Sequence, residues 1–235
     1  MAITKGVYFV SGIDTDAGKS YVTGVLAARA KERGINVITQ KFIQTGGLGD
    51  RGVSIDIDVH RRIMGIDLLP EDVDGTTCPV VFSYPASPYL ASTIVKKEID
   101  FDAIARSIRQ LSAKYELLFI EGAGGLHVPL NERITTIDYI QNSGLPLILV
   151  TSGKLGSVNH TLLSLEVCRN RGIEVAALAY NRYFGKDKVI DEDTFKYLSD
   201  YLEKYHPDCE MIDLGTVNFY HFWMIGTGGR LYVEL

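Results

Sequence analysis

Cysteine is scarce in this chain and scattered. Cys78, Cys168 and Cys209 are the three present, with no CxxC spacing and no Cys/His cluster. That excludes a zinc ribbon or a disulfide framework and fits reduced thiols in a cytoplasmic protein. Long hydrophobic runs are also missing: no apolar stretch approaches the roughly 20 residues of a membrane span. The opening MAITKGVYFVSG has no A-x-A-like cleavage site and reads as a first strand, not a signal peptide. Positive charge is in deficit, with Lys+Arg 24 against Asp+Glu 29 and a net charge of −5. A general nucleic-acid binder needs a basic surplus for its phosphate contacts and is excluded on that ground; a local site for one small anion is not. There is no internal repeat, no Pro-rich linker and no long run of one charge sign, so nothing divides the 235 residues. The expectation is a single domain spanning 1–235.

Glycine is present in mild excess, 23 residues or about 10% against a usual value near 7%. Its placement follows from the pattern of elements. Residues 6–11, 35–41, 117–120, 145–151 and 174–180 are short apolar runs that predict buried strands, with a shorter candidate at 80–83. Residues 19–33, 55–64, 101–115, 136–141, 160–171 and 193–205 alternate with them and predict helices, two of which stop at Gly34 and Gly172. Continuous apolar strands fit a sheet covered on both faces. Strand–helix alternation predicts an α/β fold with a mostly parallel sheet and helices on both sides. Ligands of such sheets bind beyond the carboxyl ends of the strands, which is where the glycines cluster.

The segment Gly12-Ile13-Asp14-Thr15-Asp16-Ala17-Gly18-Lys19-Ser20 follows the first strand and opens the first helix. This is the context of a phosphate-binding loop, and it makes the fold P-loop NTPase-like. Glycine lets backbone N–H groups turn toward phosphate oxygens, the helix start adds partial positive charge, Lys19 reaches the β- and γ-phosphates, and the Ser20 hydroxyl ligates Mg²⁺. Five residues separate Gly12 from Gly18, where the usual loop has four. Asp14 and Asp16 bring carboxylates near an anionic ligand. Either a metal or a cationic substrate answers them, or they cap the helix and face water. Lys41 ends the second strand, aimed at the ligand crevice or simply solvated. Beyond the Gly46-Gly47 loop, Asp56 or Asp58 is placed to complete a Mg²⁺ shell, or each is a first-turn helix acid. Glu121 ends an apolar strand at the place of a second Mg²⁺ ligand, beside Gly122, Gly124 and Gly125, which let backbone approach a substrate.

Together these segments resemble the dethiobiotin synthetase family. The first loop is similar to its G-T-D-T-x-x-G-K-[ST], with Ile13 for Thr; Glu121-Gly122-Ala123-Gly124-Gly125 matches E-G-A-G-G, with Pro129-Leu130 following. Lys154-Leu155-Gly156-Ser157-Val158-Asn159-His160 resembles K-L-G-x-x-N-H, and Pro85-Ala86-Ser87-Pro88 resembles P-x-S-P. The match runs in order over residues 6–181. The resemblance implies a ligase that takes 7,8-diaminononanoate (diaminopelargonate), CO₂ and Mg-ATP to dethiobiotin, ADP and phosphate, through a carbamate and a carbamic–phosphoric anhydride. It implies catalytic Lys41, Lys19 and Thr15. It implies nucleotide contacts at Asp16, Ala17, Gly18, Lys19, Ser20, Tyr21, Glu121 and Asn181, the last reading adenine. Mg²⁺ ligands would be Ser20, Asp56 and Glu121, with Asp56 preferred over Asp58 because it stands nine residues before Gly65. Thr15, Lys41, Thr45, Ser157, Val158 and Asn159 would bind substrate, the last three across a homodimer interface.

Some positions depart from the family. Phe42 stands where a proline commonly follows the second lysine, and Leu214-Gly215-Thr216-Val217 lacks the usual Gly-hydrophobic-Pro turn near the base, which leaves base selectivity open. Two other classes share the loop. Switch-type P-loop ATPases carry a lysine where this chain has Asp14, and amidotransferase-type synthetases need a glutamine-hydrolysing domain with a catalytic Cys, for which the tail is short. The histidines do not cluster; His160 reads as structural and His127 as facing either the site or water. Phe219, Tyr220, Phe222 and Trp223 read as core or dimer contact rather than a stacking platform.

Overall fold

The structure, a computed structural model, describes residues 3–215. The aromatic segment 219–223 and residues 216–217 lie outside the described residues. Six strands form one parallel sheet: β1 (Gly6–Gly12), β2 (Val37–Lys41), β5 (Leu117–Gly125), β6 (Leu147–Ser152), β7 (Val175–Asn181) and β8 (Glu210–Asp213), in the order β2-β5-β1-β6-β7-β8. Two short strands, β3 (Gln44–Thr45) and β4 (Val81–Phe82), pair in parallel beside it. The helices are α1 (Lys19–Glu32), α2 (Ile55–Met64), α3 (Pro70–Val73), α4 (Pro88–Val95), α5 (Phe101–Lys114), α6 (Thr136–Ser143), α7 (Ser157–Asn170) and α8 (Lys188–Tyr205).

The unbroken apolar strands split residue by residue between two cores. Leu118 and Ile120 of β5, with Leu147 and Leu149 of β6, join one cluster with Ile104, Ile137, Leu165 and Leu198 from α5 to α8. Leu117, Phe119, Ile148 and Val150 face the other side, where Val22, Leu26, Ala27 and Ala30 of α1 cover them. This is the period-2 alternation of a strand buried on both faces. Each fully buried Leu, Ile or Phe contributes about 1.5–3 kcal/mol. Among the described residues, no helix is long and apolar enough to cross a membrane.

Register places the site. Lys41 of β2 and Val10 of β1 both pair with Glu121 of β5, so the last residue of β2 lies directly beside Glu121. The expectation that the strand stops at Ile120 is corrected: β5 continues to Gly125, which pairs with Gly12 after a register shift between Val10 and Gly12. Glycine makes the extension feasible, since a Cβ on Gly122 would stand 2.8 Å from Cε1 of Phe9.

Candidate active site

A cavity of about 940 Å³ opens at the carboxyl ends of the strands. Its lining includes Thr15, Asp16, Gly18, Lys19, Ser20 and Tyr21 from the first loop and the start of α1, Lys41, Thr45, Asp56 and Glu121 from four further elements, and Ala123 and Gly124. The extra loop residue is absorbed by a 3₁₀ turn, Thr15–Ala17, and by Gly18 at φ +85°, where a Cβ would fall 2.3 Å from Nδ2 of Asn181. Asp14 resolves as a cap: its carboxylate accepts from the Thr15 N–H at 2.6 Å and is exposed. Lys19, first residue of α1, is buried, and its ammonium donates to the carbonyls of Asp14 (3.0 Å) and Thr15 (3.1 Å). Burial, and then repulsion from Lys41, bring its pKa down to about 8.

The polar centre begins at the next residue. Ser20 Oγ is 2.9 Å from Asp56 Oδ1 and 2.9 Å from Glu121 Oε1. Lys41 Nζ donates to Asp56 Oδ2 (2.5 Å), Glu121 Oε1 (2.8 Å) and the Gly122 carbonyl (3.1 Å), so all three of its protons are engaged. Burial opposes the charged form of both Lys41 and Glu121, but the opposite charges facing each of them outweigh it. Asp56 and then Glu121 hold the Lys41 pKa above the ordinary lysine value, and Lys41 and then the His60 hydrogen bond hold the Glu121 pKa well below the carboxylate range. Asp58 points elsewhere, paired with Arg51 and Arg62 at 2.9 Å each. Of the two acids in the first turn of α2, Asp56 is the one that meets Ser20.

Other expected residues lie apart from this centre. Ala17 is buried and does not line the cavity. Asn181 is also outside the lining, its amide donating to the Ala17 carbonyl (3.1 Å) and accepting from the Tyr183 N–H (3.1 Å). Ser157, Val158 and Asn159 open α7 after Gly156; Ser157 is buried against Ser152 Oγ at 3.0 Å, Val158 is half-buried, Asn159 is exposed, and none lines the cavity. His160 and His127 are exposed and outside the lining too.

Sequence reasoning missed a rim and a neighbour. Phe184, Lys186, Asp187 and Ile190 line the cavity from the segment after β7. They sit at a strand's carboxyl end, so the rule that points to Lys41 points to them as well. His60, fully buried, places Nε2 2.7 Å from Glu121 Oε2. It stands four residues after Asp56, on the same helix face, and that spacing was its signal.

Residues 6–206 match the family described as AAA domain. Curated relatives include an ATP-dependent dethiobiotin synthetase BioD 2 of Pasteurella multocida, 48% identical with 90% of this chain and 99% of that protein covered. The enzyme of the same name from Haemophilus influenzae is 55% identical over 78% of this chain and 95% of its own length. The ATP-dependent dethiobiotin synthetase BioD of Chlorobaculum tepidum is 49% identical over 91% and 89%. The chain belongs to the dethiobiotin synthetase family. As a dethiobiotin synthetase it presents its loop lysine, loop serine and strand-end acid at one end of one cavity, on the P-loop α/β framework that its sequence predicts.

Proposed function

We propose that this chain catalyses the Mg-ATP-dependent carboxylation and ring closure of 7,8-diaminononanoate with CO₂, giving dethiobiotin, ADP and phosphate. The observation that carries the reading is the convergence of Ser20, Lys41, Asp56 and Glu121 beside a phosphate-binding loop, at the floor of a cavity large enough for a nucleotide tail and a small substrate. Its relatedness to ATP-dependent dethiobiotin synthetases supports the same reaction.

In this reading one substrate amine captures CO₂ as a carbamate. A carbamate oxygen then attacks the γ-phosphorus, and ADP leaves. The second amine attacks the activated carbonyl, a C–N bond forms, and phosphate departs with the former carbamate oxygen. The protein supplies position and charge, as phosphoryl transfer demands. Asp16, Ala17, Gly18, Lys19, Ser20, Tyr21, Glu121 and Asn181 hold the nucleotide, with Lys19 released from the loop carbonyls onto the phosphates. Thr15, Lys41 and Thr45 face the diamine and its carbamate, where two cationic groups let a carbamate and a γ-phosphate meet despite like charge.

The donor set suits a divalent cation. The single Ser20 proton cannot bond Asp56 and Glu121 at once, yet the three oxygens lie within 2.9 Å of the hydroxyl oxygen or are it. One hydroxyl and two carboxylates, with phosphate oxygens added, is the kind of shell Mg²⁺ takes. When bound there, Mg²⁺ would offset phosphate charge as a Lewis acid. With a cation on these oxygens, Lys41 would be freed from the two carboxylates to face the carbamate.

The reading includes a homodimer in which Ser157, Val158 and Asn159 of one copy complete the site of the other. Leu155, on the cavity rim beside them, is 80% exposed, which supports a covering partner. It also places the enzyme in the cytoplasm, where its three buried free thiols stay reduced. The test is ATP turnover by the purified protein with Mg²⁺. We expect ADP formation to require diaminononanoate and bicarbonate together; steady hydrolysis indifferent to the diamine would overturn the reading.

A further inference from the structure

We infer that His60 is a positioning residue for the reaction, holding Glu121 through an Nε2–H hydrogen bond so that the other carboxylate oxygen faces Ser20 and Lys41. This rests on the reading of Glu121 as a metal- and nucleotide-facing acid.

The two oxygens of Glu121 are divided between two tasks. Oε1 accepts from Ser20 (2.9 Å) and Lys41 (2.8 Å), while Oε2 accepts from His60 Nε2 at 2.7 Å. A carboxylate with both oxygens on the cation side can rotate between them. One with Oε2 fixed on a fully buried ring cannot turn without breaking that bond.

The ring's proton is set from behind. His60 Nδ1 lies 2.9 Å from Thr39 Oγ1, and Arg61 Nη1 lies 2.8 Å from the same hydroxyl oxygen. A guanidinium only donates, so Thr39 accepts from Arg61 and keeps its own proton available to His60 Nδ1. With Nδ1 accepting from Thr39, a ring proton sits on Nε2, facing Glu121, whose carboxylate only accepts. Arg61 is itself immobile, bound to Asp72 through Nε and Nη2 at 2.8 Å each. A chain from Asp72 through Arg61, Thr39 and His60 therefore ends on Glu121, with every donor facing an acceptor.

The probe is Mn²⁺ with a non-hydrolysable ATP analogue, its free and bound forms counted by electron paramagnetic resonance. His60→Gln keeps an N–H at the reach of Nε2, whereas His60→Asn reaches only toward Thr39. We expect Mn²⁺ affinity near wild type in the first and about 10–100-fold weaker in the second, the range seen when a metal ligand loses its outer partner. Thr39→Val and Thr39→Ser form a second pair that leaves the imidazole in place. Removing the hydroxyl should weaken Mn²⁺ binding several-fold, and keeping it should not. A merely space-filling His60 predicts equal Mn²⁺ affinity in all four folded variants, which would overturn the inference while leaving the function intact. Failure of the wild type to bind Mn²⁺ with the nucleotide would overturn both.

Discussion

At Lys41 one ammonium serves two carboxylates and a carbonyl, and it is 5% exposed. Lys41→Gln keeps donors but removes the charge, leaving Asp56 and Glu121 to repel each other. Removing one partner of a buried ion pair costs about 3–5 kcal/mol. We expect a lower urea midpoint for Lys41→Gln and a loss of about 10²–10³ in turnover, as when a charge-stabilising donor is removed. Millimolar Mg²⁺ should raise the variant's melting temperature more than the wild type's, because a divalent cation would meet both carboxylates without a competing ammonium. Equal shifts in the two proteins would show that Lys41 does not share the cation's place. At this scale Lys19, Ser20, Lys41 and Glu121 were legible, since each stands at a strand end or helix start that the pattern fixes. Asp56 and Asp58 were not separable by residue type. Two positions apart on a helix they point to different sides, and only packing against α1 selects one. His60 stayed hidden because its relation to Asp56 has meaning only once Glu121 lies opposite.

The contact between α1 and α2 sets the spacing between Ser20, on the first, and Asp56, on the second. Gly24 makes the close approach possible: a Cβ there would stand 2.8 Å from Cδ1 and 3.0 Å from Cβ of Ile63. Gly24→Ala gains up to about 1 kcal/mol of helix propensity. It also forces the helices apart or Ile63 out of its rotamer, at about 1–3 kcal/mol. We expect a net loss of up to roughly 2 kcal/mol in chemical denaturation and a raised KM for Mg-ATP, because the Ser20–Asp56 distance opens. Adding Ile63→Ala should recover much of the KM; a Gly24→Ala enzyme with unchanged KM would separate the helix contact from the site. The elements that sequence foretold are those with enough turns or apolar residues to show a period. α2 runs from Ile55 to Met64 as expected, and α1 ends one residue early. The short strand expected at 80–83 forms as β4, Val81–Phe82, but β3 and α3 are too short for any period, and β8, Glu-Met-Ile-Asp, alternates too briefly to stand out. α4 was hidden inside a motif, although Ser87 caps it and Pro88 opens it in the ordinary way. α8 begins at Lys188 because Asp187 accepts from the N–H groups of Val189 and Ile190, a cap that composition alone does not reveal.

Over the whole molecule, the acidic surplus of −5 coexists with a site that holds Lys19 and Lys41, so the positive charge that meets an anion is local rather than general. That local site stops short of α7. Lys154 and Leu155 line the cavity, while Ser157, Val158 and Asn159, two to four residues beyond Leu155, do not. The proposed diamine carries a carboxylate at its far end, and one chain's cavity does not bring it the start of α7. The proposed two-fold dimer would, and isologous symmetry would then make two identical shared sites, each taking its loops from one copy and its α7 start from the other. The arrangement is testable by complementation. Lys41→Gln disables the loop side, and Asn159→Asp places a negative charge where the substrate carboxylate would dock. Each homodimer should be nearly inactive. In a hybrid of the two, one site collects both defects and the other collects neither. Random exchange makes half the dimers hybrids with one intact site of two, so the mixture should recover about a quarter of wild-type activity. Native mass spectrometry of differently tagged copies would confirm the hybrid fraction. A mixture that contains hybrids yet shows only the mean of its parents would mean that each site is complete within one chain, and Asn159 would then have no part in binding the diamine.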